Sequence, residues 1–261
     1  MSTDLAWMDW GEQDPYFAVI TDPKYRSAIL DDDARKEFFA TGRYHLAYVL
    51  HQIRRGVDAN FVPRRMLDFG CGVGRVGLPM AEHAERVTGV DVSPAMLAEF
   101  RRNCEERGLA NVGFHQSLDE LADQAGTYDL VHSCIVFQHI DVERGRQMFG
   151  QLLALLAEGG VGAIQVTFGK AVHADSFGQP PPPAPASASP VDESGKRGLF
   201  SFGTRVRSDP EMQMNPYNLS ELAYLMQTAG IEQFNAQFTD HGGELGVFLF
   251  FRKPERRSPP A

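Results

Sequence analysis

Residues 68–74 read Asp-Phe-Gly-Cys-Gly-Val-Gly. Glycines at alternate positions (Gly70, Gly72 and Gly74) allow a tight turn and let a ligand approach the backbone where a side chain would block it. A helix after such a turn offers unpaired N–H groups to that ligand. Dinucleotide sites use G-x-G-x-x-G in the same setting, but the position that would carry their third glycine is Arg75. Asp68, just ahead of the turn, suits a ligand's positive amino group and would sit badly beside a pyrophosphate. Farther on, Asp91 can accept two hydrogen bonds from ribose hydroxyls.

The elements needed to hold these residues are legible from residue 65 onward. Residues 65–69 read as a short buried strand, followed by the glycine turn and a helix through Val76, Leu78, Met80 and Ala81. A second strand spans 87–92, and Ser93-Pro94 places a capping serine and a first-turn proline at the next helix start. Further strands are expected at 112–115, 128–133 and 161–168. The helix through Met148, Leu152, Leu153, Leu155 and Leu156 should stop at Gly159-Gly160. Strands alternating with helices give a parallel sheet covered on both faces. Asn218 with Glu221 predicts a capped helix through Leu219, Leu222, Leu225 and Met226. Two apolar strands, 233–238 and 245–251, are joined by the turn Asp240-His241-Gly242-Gly243. Before the alternation, Asp31-Asp32-Asp33 should start one helix through Phe38 and Phe39. A second, from Gly42 through Ile53, should pack on the sheet edge.

Three segments in this order, Asp68-Phe69-Gly70-Cys71-Gly72-Val73-Gly74, then residues 89–97 around Asp91, then Tyr128-Asp129-Leu130-Val131, resemble the motif series of class I S-adenosylmethionine-dependent methyltransferases. No one of them would suffice, since Asp91 alone fits NAD and S-adenosylmethionine equally. The resemblance covers residues 60–170, and the final helix and hairpin are similar to that family's reversed seventh strand. It implies an α/β fold: a doubly wound, mostly parallel, seven-stranded Rossmann-like sheet with an antiparallel last strand and helices on both faces.

The same resemblance implies residue roles. Asp68 and the backbone of Gly70, Cys71, Gly72 and Gly74 would hold the methionine end of S-adenosyl-L-methionine. Asp91 would bind its ribose, and Val92 and Met96 would pack on adenine. Where the family often has an acidic pair after the third strand, this chain has Gln116-Ser117-Leu118-Asp119. The adenine contact therefore falls to Ser117, the Leu118 backbone or Asp119. Ser133 and Cys134 should pass close to the sulfonium and the acceptor.

Methyl transfer needs in-line attack by a lone pair, and a base only where the acceptor starts protonated. His139, in Phe137-Gln138-His139-Ile140, is the best-placed candidate for that base or for orienting the acceptor; it could equally hydrogen-bond its own loop. Gln138 has a weaker version of the same case. His45 and His51 lie six apart on a helix, off a common face, and no metal site is expected. His173 and Asp175 are either acceptor-pocket or exposed loop residues. Met212, Met214 and Tyr217 form either an apolar lid or the packing of the preceding insertion onto the last helix. Tyr16 either closes the cofactor pocket or fills the core.

Within its 261 residues the chain is 43% hydrophobic and 23% charged, ordinary globular material. Its net charge of −9, from 25 Lys+Arg against 34 Asp+Glu, disfavours a nucleic-acid partner. No basic stretch with a following apolar run opens the chain, and no apolar run is long enough for a bilayer. Three cysteines, Cys71, Cys104 and Cys134, are far apart and odd in number. A cytoplasmic protein without a membrane partner is the expectation.

The expected organisation is a helical cap (1–60), a cofactor-binding Rossmann-like core (61–168), a Pro-rich insertion or lid (169–215), a helix and hairpin completing the core (216–254), and a tail (255–261). Within the insertion, 179–190 should be an extended linker and 196–207 a flap. The expected activity is methyl transfer from S-adenosylmethionine to an oxygen or nitrogen of a small molecule or sugar. Residues 137–140 and 214–218 are faintly similar to bacterial methyltransferases of natural-product or polysaccharide pathways. The alternatives are a non-catalytic S-adenosylmethionine-binding protein and an NAD-dependent oxidoreductase. The latter usually needs a Tyr-x-x-x-Lys or similar pair, which is not visible.

Overall fold

A computed structural model describes residues 3–171, 209–210 and 212–255. Its centre is one seven-stranded sheet in the order β3-β2-β1-β4-β5-β7-β6. The strands are β1 (Arg65–Phe69), β2 (Arg86–Val90), β3 (Val112–His115), β4 (Tyr128–Ser133), β5 (Leu156–Lys170), β6 (Phe234–His241) and β7 (Glu244–Arg252). β1 to β5 pair in parallel, and β7 runs antiparallel to both β5 and β6. This is the expected seven-stranded Rossmann-like arrangement with its reversed last strand. The two central strands β1 and β4 are buried along nearly their whole length, because helices cover both faces. Gly242 and Gly243, both at positive φ (+70° and +97°), close the β6–β7 hairpin as its two-residue turn requires.

Helices α1 (Thr3–Gln13), α2 (Pro15–Val19) and α3 (Asp32–Gly56) precede the sheet, and α4 (Gly77–His83), α5 (Pro94–Glu105), α6 (Val142–Leu155) and α7 (Leu219–Thr228) are interleaved with it. The predicted caps are in place. Ser93 Oγ accepts from Met96 N at α5, and Asn218 Oδ1 accepts from Ser220 N at α7. Tyr217 is part of the core between α6, α7 and the sheet, its hydroxyl donating to the Ile140 carbonyl. Tyr16 is also a core residue, with its hydroxyl donating to Glu99.

Three expectations need correction. Residues 32–56 are one continuous helix rather than two. Gly42 lies inside it because a Cβ there would fall 1.7 Å from the Arg75 carbonyl oxygen; the glycine marks a close approach, not a break. Nor does α3 lie on the sheet edge. Leu46, Val49, Leu50 and Ile53 pack on a face of the sheet against Met66, Leu130, Ala163, Phe248 and Phe250, each buried aliphatic contributing roughly 1.5–3 kcal/mol.

The third concerns α6, which ends at Leu155, four residues before the glycines. Its last carbonyls are taken by other parts of the chain. Gly126 N and Thr127 N donate to the carbonyls of Ala154 and Leu155, and Lys253 Nζ donates to those of Leu153 and Leu156. Gly159-Gly160 then lies inside β5, beside an irregular register between Tyr128 and Leu130. His173, Asp175 and the segments 179–190 and 196–207 lie outside the described residues. Among the described residues no helix is long and apolar enough to cross a membrane.

Candidate functional site

A cleft opens at the C-terminal ends of β1, β2 and β4, where ligands bind in open α/β sheets. Asp68, Gly70, Cys71 and Gly72 line it from the glycine turn, and Asp91, Val92 and Met96 from the end of β2 and the start of α5. Gln116, Ser117 and Leu118 line it beyond β3, His132 from within β4, and Cys134, Ile135, Val136 and His139 from the loop after it. Thr3, Asp4 and Trp7 of α1, with Ala18 and Val19 of α2, complete the wall. Nine of the eleven expected cofactor residues, and His139, thus face one space.

Gly74 and Ser133 do not. A Cβ on Gly74, which has φ +86°, would strike the Phe100 ring at 2.0 Å, so this glycine seats α5 against the turn. Ser133 is fully buried, and its Oγ meets no partner among the described residues. Strand alternation turns its neighbours His132 and Cys134 into the cleft in its place.

Asp91 is held by the turn it serves. Its Oδ2 accepts from Gly72 N at 2.9 Å and its Oδ1 from Ser93 N at 2.9 Å. Burial nevertheless raises its pKa to about 6; the two backbone N–H groups oppose that shift and the nearby Asp68 adds to it. A desolvated carboxylate with no cationic partner among the described residues suits hydroxyl donors. Val92, Met96 and Leu118 provide apolar surface close by.

His139 occupies a short 3-10 turn, Phe137–His139. Its Nδ1 is 2.8 Å from the Gln213 carbonyl oxygen, so Nδ1 carries the proton and Nε2 the lone pair. Gln138 Nε2 lies 3.3 Å from that Nε2, a long contact. The imidazole rests against the Trp7 ring, centroids 4.7 Å apart. Burial pushes its pKa down, against the opposing pull of the Gln213 carbonyl and Glu244, so the ring is neutral near pH 7. Residues 212–217 return here from the insertion. Asn215 N donates to the Gln138 carbonyl, and Thr167 Oγ1 donates to Gln138 Oε1 at 2.8 Å.

Several residues of this region were not singled out from the sequence. Trp7 and Asp4 reach the cleft on α1, where Asp4 pairs with Arg144 at 2.6 Å. Ile135 has φ +58°, a strained value for a β-branched residue, and its N–H donates to Gln165 Oε1. His132 contacts Asp68 directly. A signal for it existed: a polar residue in a buried central strand, in register with Asp68 on the next strand.

Residues 66–160 match a family model described as a methyltransferase domain. A ubiquinone biosynthesis O-methyltransferase from Methylocella silvestris is 34% identical over 76 residues, covering 29% of this chain and 30% of the relative. A 23S rRNA (uracil(747)-C(5))-methyltransferase from Vibrio vulnificus is 34% identical over 87 residues, covering 33% of this chain and 23% of the relative. The chain thus spans under a third of the length of these relatives. Among solved structures, magnesium protoporphyrin IX methyltransferase from Synechocystis PCC 6803 with bound S-adenosylhomocysteine superposes with a TM-score of 0.61 at 17% identity, over 95% of this chain and 99% of that one. The N-methyltransferase NodS from Bradyrhizobium japonicum, also with S-adenosylhomocysteine, gives 0.56 at 13% identity, over 98% and 100%. These two likenesses concern the fold.

Proposed function

We propose, because this chain carries a class I S-adenosylmethionine-dependent methyltransferase domain, that it transfers a methyl group to an oxygen or nitrogen of a small-molecule or sugar acceptor. The observation that carries the acceptor class is the wall formed by α1 and α2. Asp4, Trp7 and Val19 line the same cleft as the glycine turn, so an acceptor must fit beneath helices rather than against an open surface. A net charge of −9 supports the same reading against a nucleic-acid acceptor. The ubiquinone biosynthesis and 23S rRNA methyltransferases match over only 76 and 87 residues, under a third of their own length, so neither name carries an acceptor to this chain.

The residues fit the donor. Asp91 is the ribose acceptor, the faces of Val92, Met96 and Leu118 are the adenine contacts, and Asp68 faces the methionine amino group. Ser117 is less free for adenine than its place suggests, because its Oγ already accepts from Asp119 N. When bound, S-adenosylmethionine supplies an activated methyl group, and the protein's part is orientation and exclusion of water. His139 Nε2 takes the proton from an acceptor hydroxyl as the new bond forms, or from an ammonium before its nitrogen attacks.

Incubating the chain with methyl-labelled S-adenosylmethionine and, separately, a small-metabolite extract or total RNA tests this reading. Label is expected in the low-mass fraction, whereas label in RNA would overturn the acceptor class. In the same assay His139→Ala should lower turnover by about 10²–10⁴ while S-adenosylhomocysteine affinity stays within about twofold. Unchanged turnover would make His139 a structural residue.

A further inference from the structure

One chain of polar groups runs from the cleft lining back to α3, and of its three members only Asp68 enters the chemistry above. Asp68 and His132 stand opposite each other on the adjacent strands β1 and β4. His132 Nδ1 is 2.8 Å from Asp68 Oδ1, and the two side chains are 1% and 4% exposed. On the far side, His132 Nε2 is 2.9 Å from His45 Nε2 of α3. His45 is itself wedged against the rings of Phe248 and Tyr48. Burial, the His132 ring and the Arg75 guanidinium all hold it neutral, with its pKa pushed down to about 2.

One direction of donation links the three groups in series. His45 Nε2–H donates to His132 Nε2, and His132 Nδ1–H donates to Asp68 Oδ1. Oδ1 is thereby committed, whereas Oδ2 receives no hydrogen bond from the described residues although Asp68 lines the cleft. Asp68 and His132 belong to the sheet and His45 to a helix that packs across it, so rotating the carboxylate would break its contact with a ring whose other nitrogen is tied to α3.

We infer that His132, anchored from α3 by His45, is the positioning residue for Asp68 and sets how tightly the cleft holds the ammonium end of an amino-acid-bearing nucleoside. This rests on the donor reading given above and assigns to two histidines a task that no residue type at those positions announces.

The test compares two ligands by titration calorimetry on the full chain: S-adenosylhomocysteine, and 5′-methylthioadenosine, which keeps the nucleoside and sulfur but lacks the amino-acid end. His132→Ala is expected to bind S-adenosylhomocysteine about tenfold or more weaker, the scale of one hydrogen bond to a charged group. Its affinity for 5′-methylthioadenosine should stay within about twofold. His132→Asn, whose amide can donate to Oδ1, should restore most of the loss. His132→Gln, whose donor lies too far along the side chain, should not. His45→Ala should give a smaller loss with the same ligand selectivity. Where His132→Ala does not fold, the Asn and Gln variants carry the comparison.

Equal weakening of both ligands, or no change in either, would overturn the inference while leaving the donor reading intact. A wild-type chain that binds neither ligand would overturn the donor reading and the inference with it.

Discussion

Asp91 is a carboxylate that its own surroundings make easy to protonate. Burial lifts its pKa to about 6, from an ordinary value near 3.8, despite two backbone N–H donors. On the proposed role of Asp91 as ribose acceptor, hydroxyls donate best to its ionised form, so affinity for S-adenosylhomocysteine should be full above pH 7. It should then weaken as pH falls through 6, by about tenfold at pH 5. Asp91→Ala should bind about 10–100-fold weaker at pH 7.5 and lose that pH dependence. An unaltered slope in the variant would assign the titration to another group. Gly70 and Gly72 were readable from sequence because turn geometry admits few residue types, and Asp91 from its place in the order of motifs. His132 was not, because a histidine in a strand gains meaning only from its neighbour on the next strand.

At the scale of elements, α3 shows how a local signal can be misread. Gly42 has the appearance of a helix boundary, since glycine costs about 1 kcal/mol in a helix interior relative to alanine. It is instead where the helix touches the Arg75 carbonyl, with room for no Cβ. Gly42→Ala should therefore lower the melting temperature despite its better helix propensity, by about 2 kcal/mol or more of stability. A rise in melting temperature would mean that the contact gives way easily. Helix starts at Ser93 and Asn218 were legible because their caps are sequence-local. The end of α6 was not, because Thr127 and Lys253 satisfy its carbonyls from distant positions.

For the whole molecule, acid should be destabilising. His45, half-buried on α3, and His139, buried, are held neutral with depressed pKa values. Below pH 6.5 the unfolded chain takes up protons at both more readily than the folded chain, so stability falls with pH. Asp91 works the other way between about 6 and 3.8, since its folded form holds the proton more tightly. Two groups outweigh one, so the melting temperature should drop from pH 7 to pH 5; a flat or rising profile would contradict the neutral state of the histidines.

Local sequence was enough for the parallel α/β core, the glycine turn with its two carboxylates and the terminal hairpin. Each depends on short-range geometry: hydrophobic runs, caps, and turns that only glycine can make. Tertiary structure alone decided that α3 crosses a sheet face, that α1 and α2 wall the cleft, that Ser133 turns away, and that His45 reaches His132. Those facts arise from packing between layers, where contacts join residues far apart in the chain and no local spacing records them.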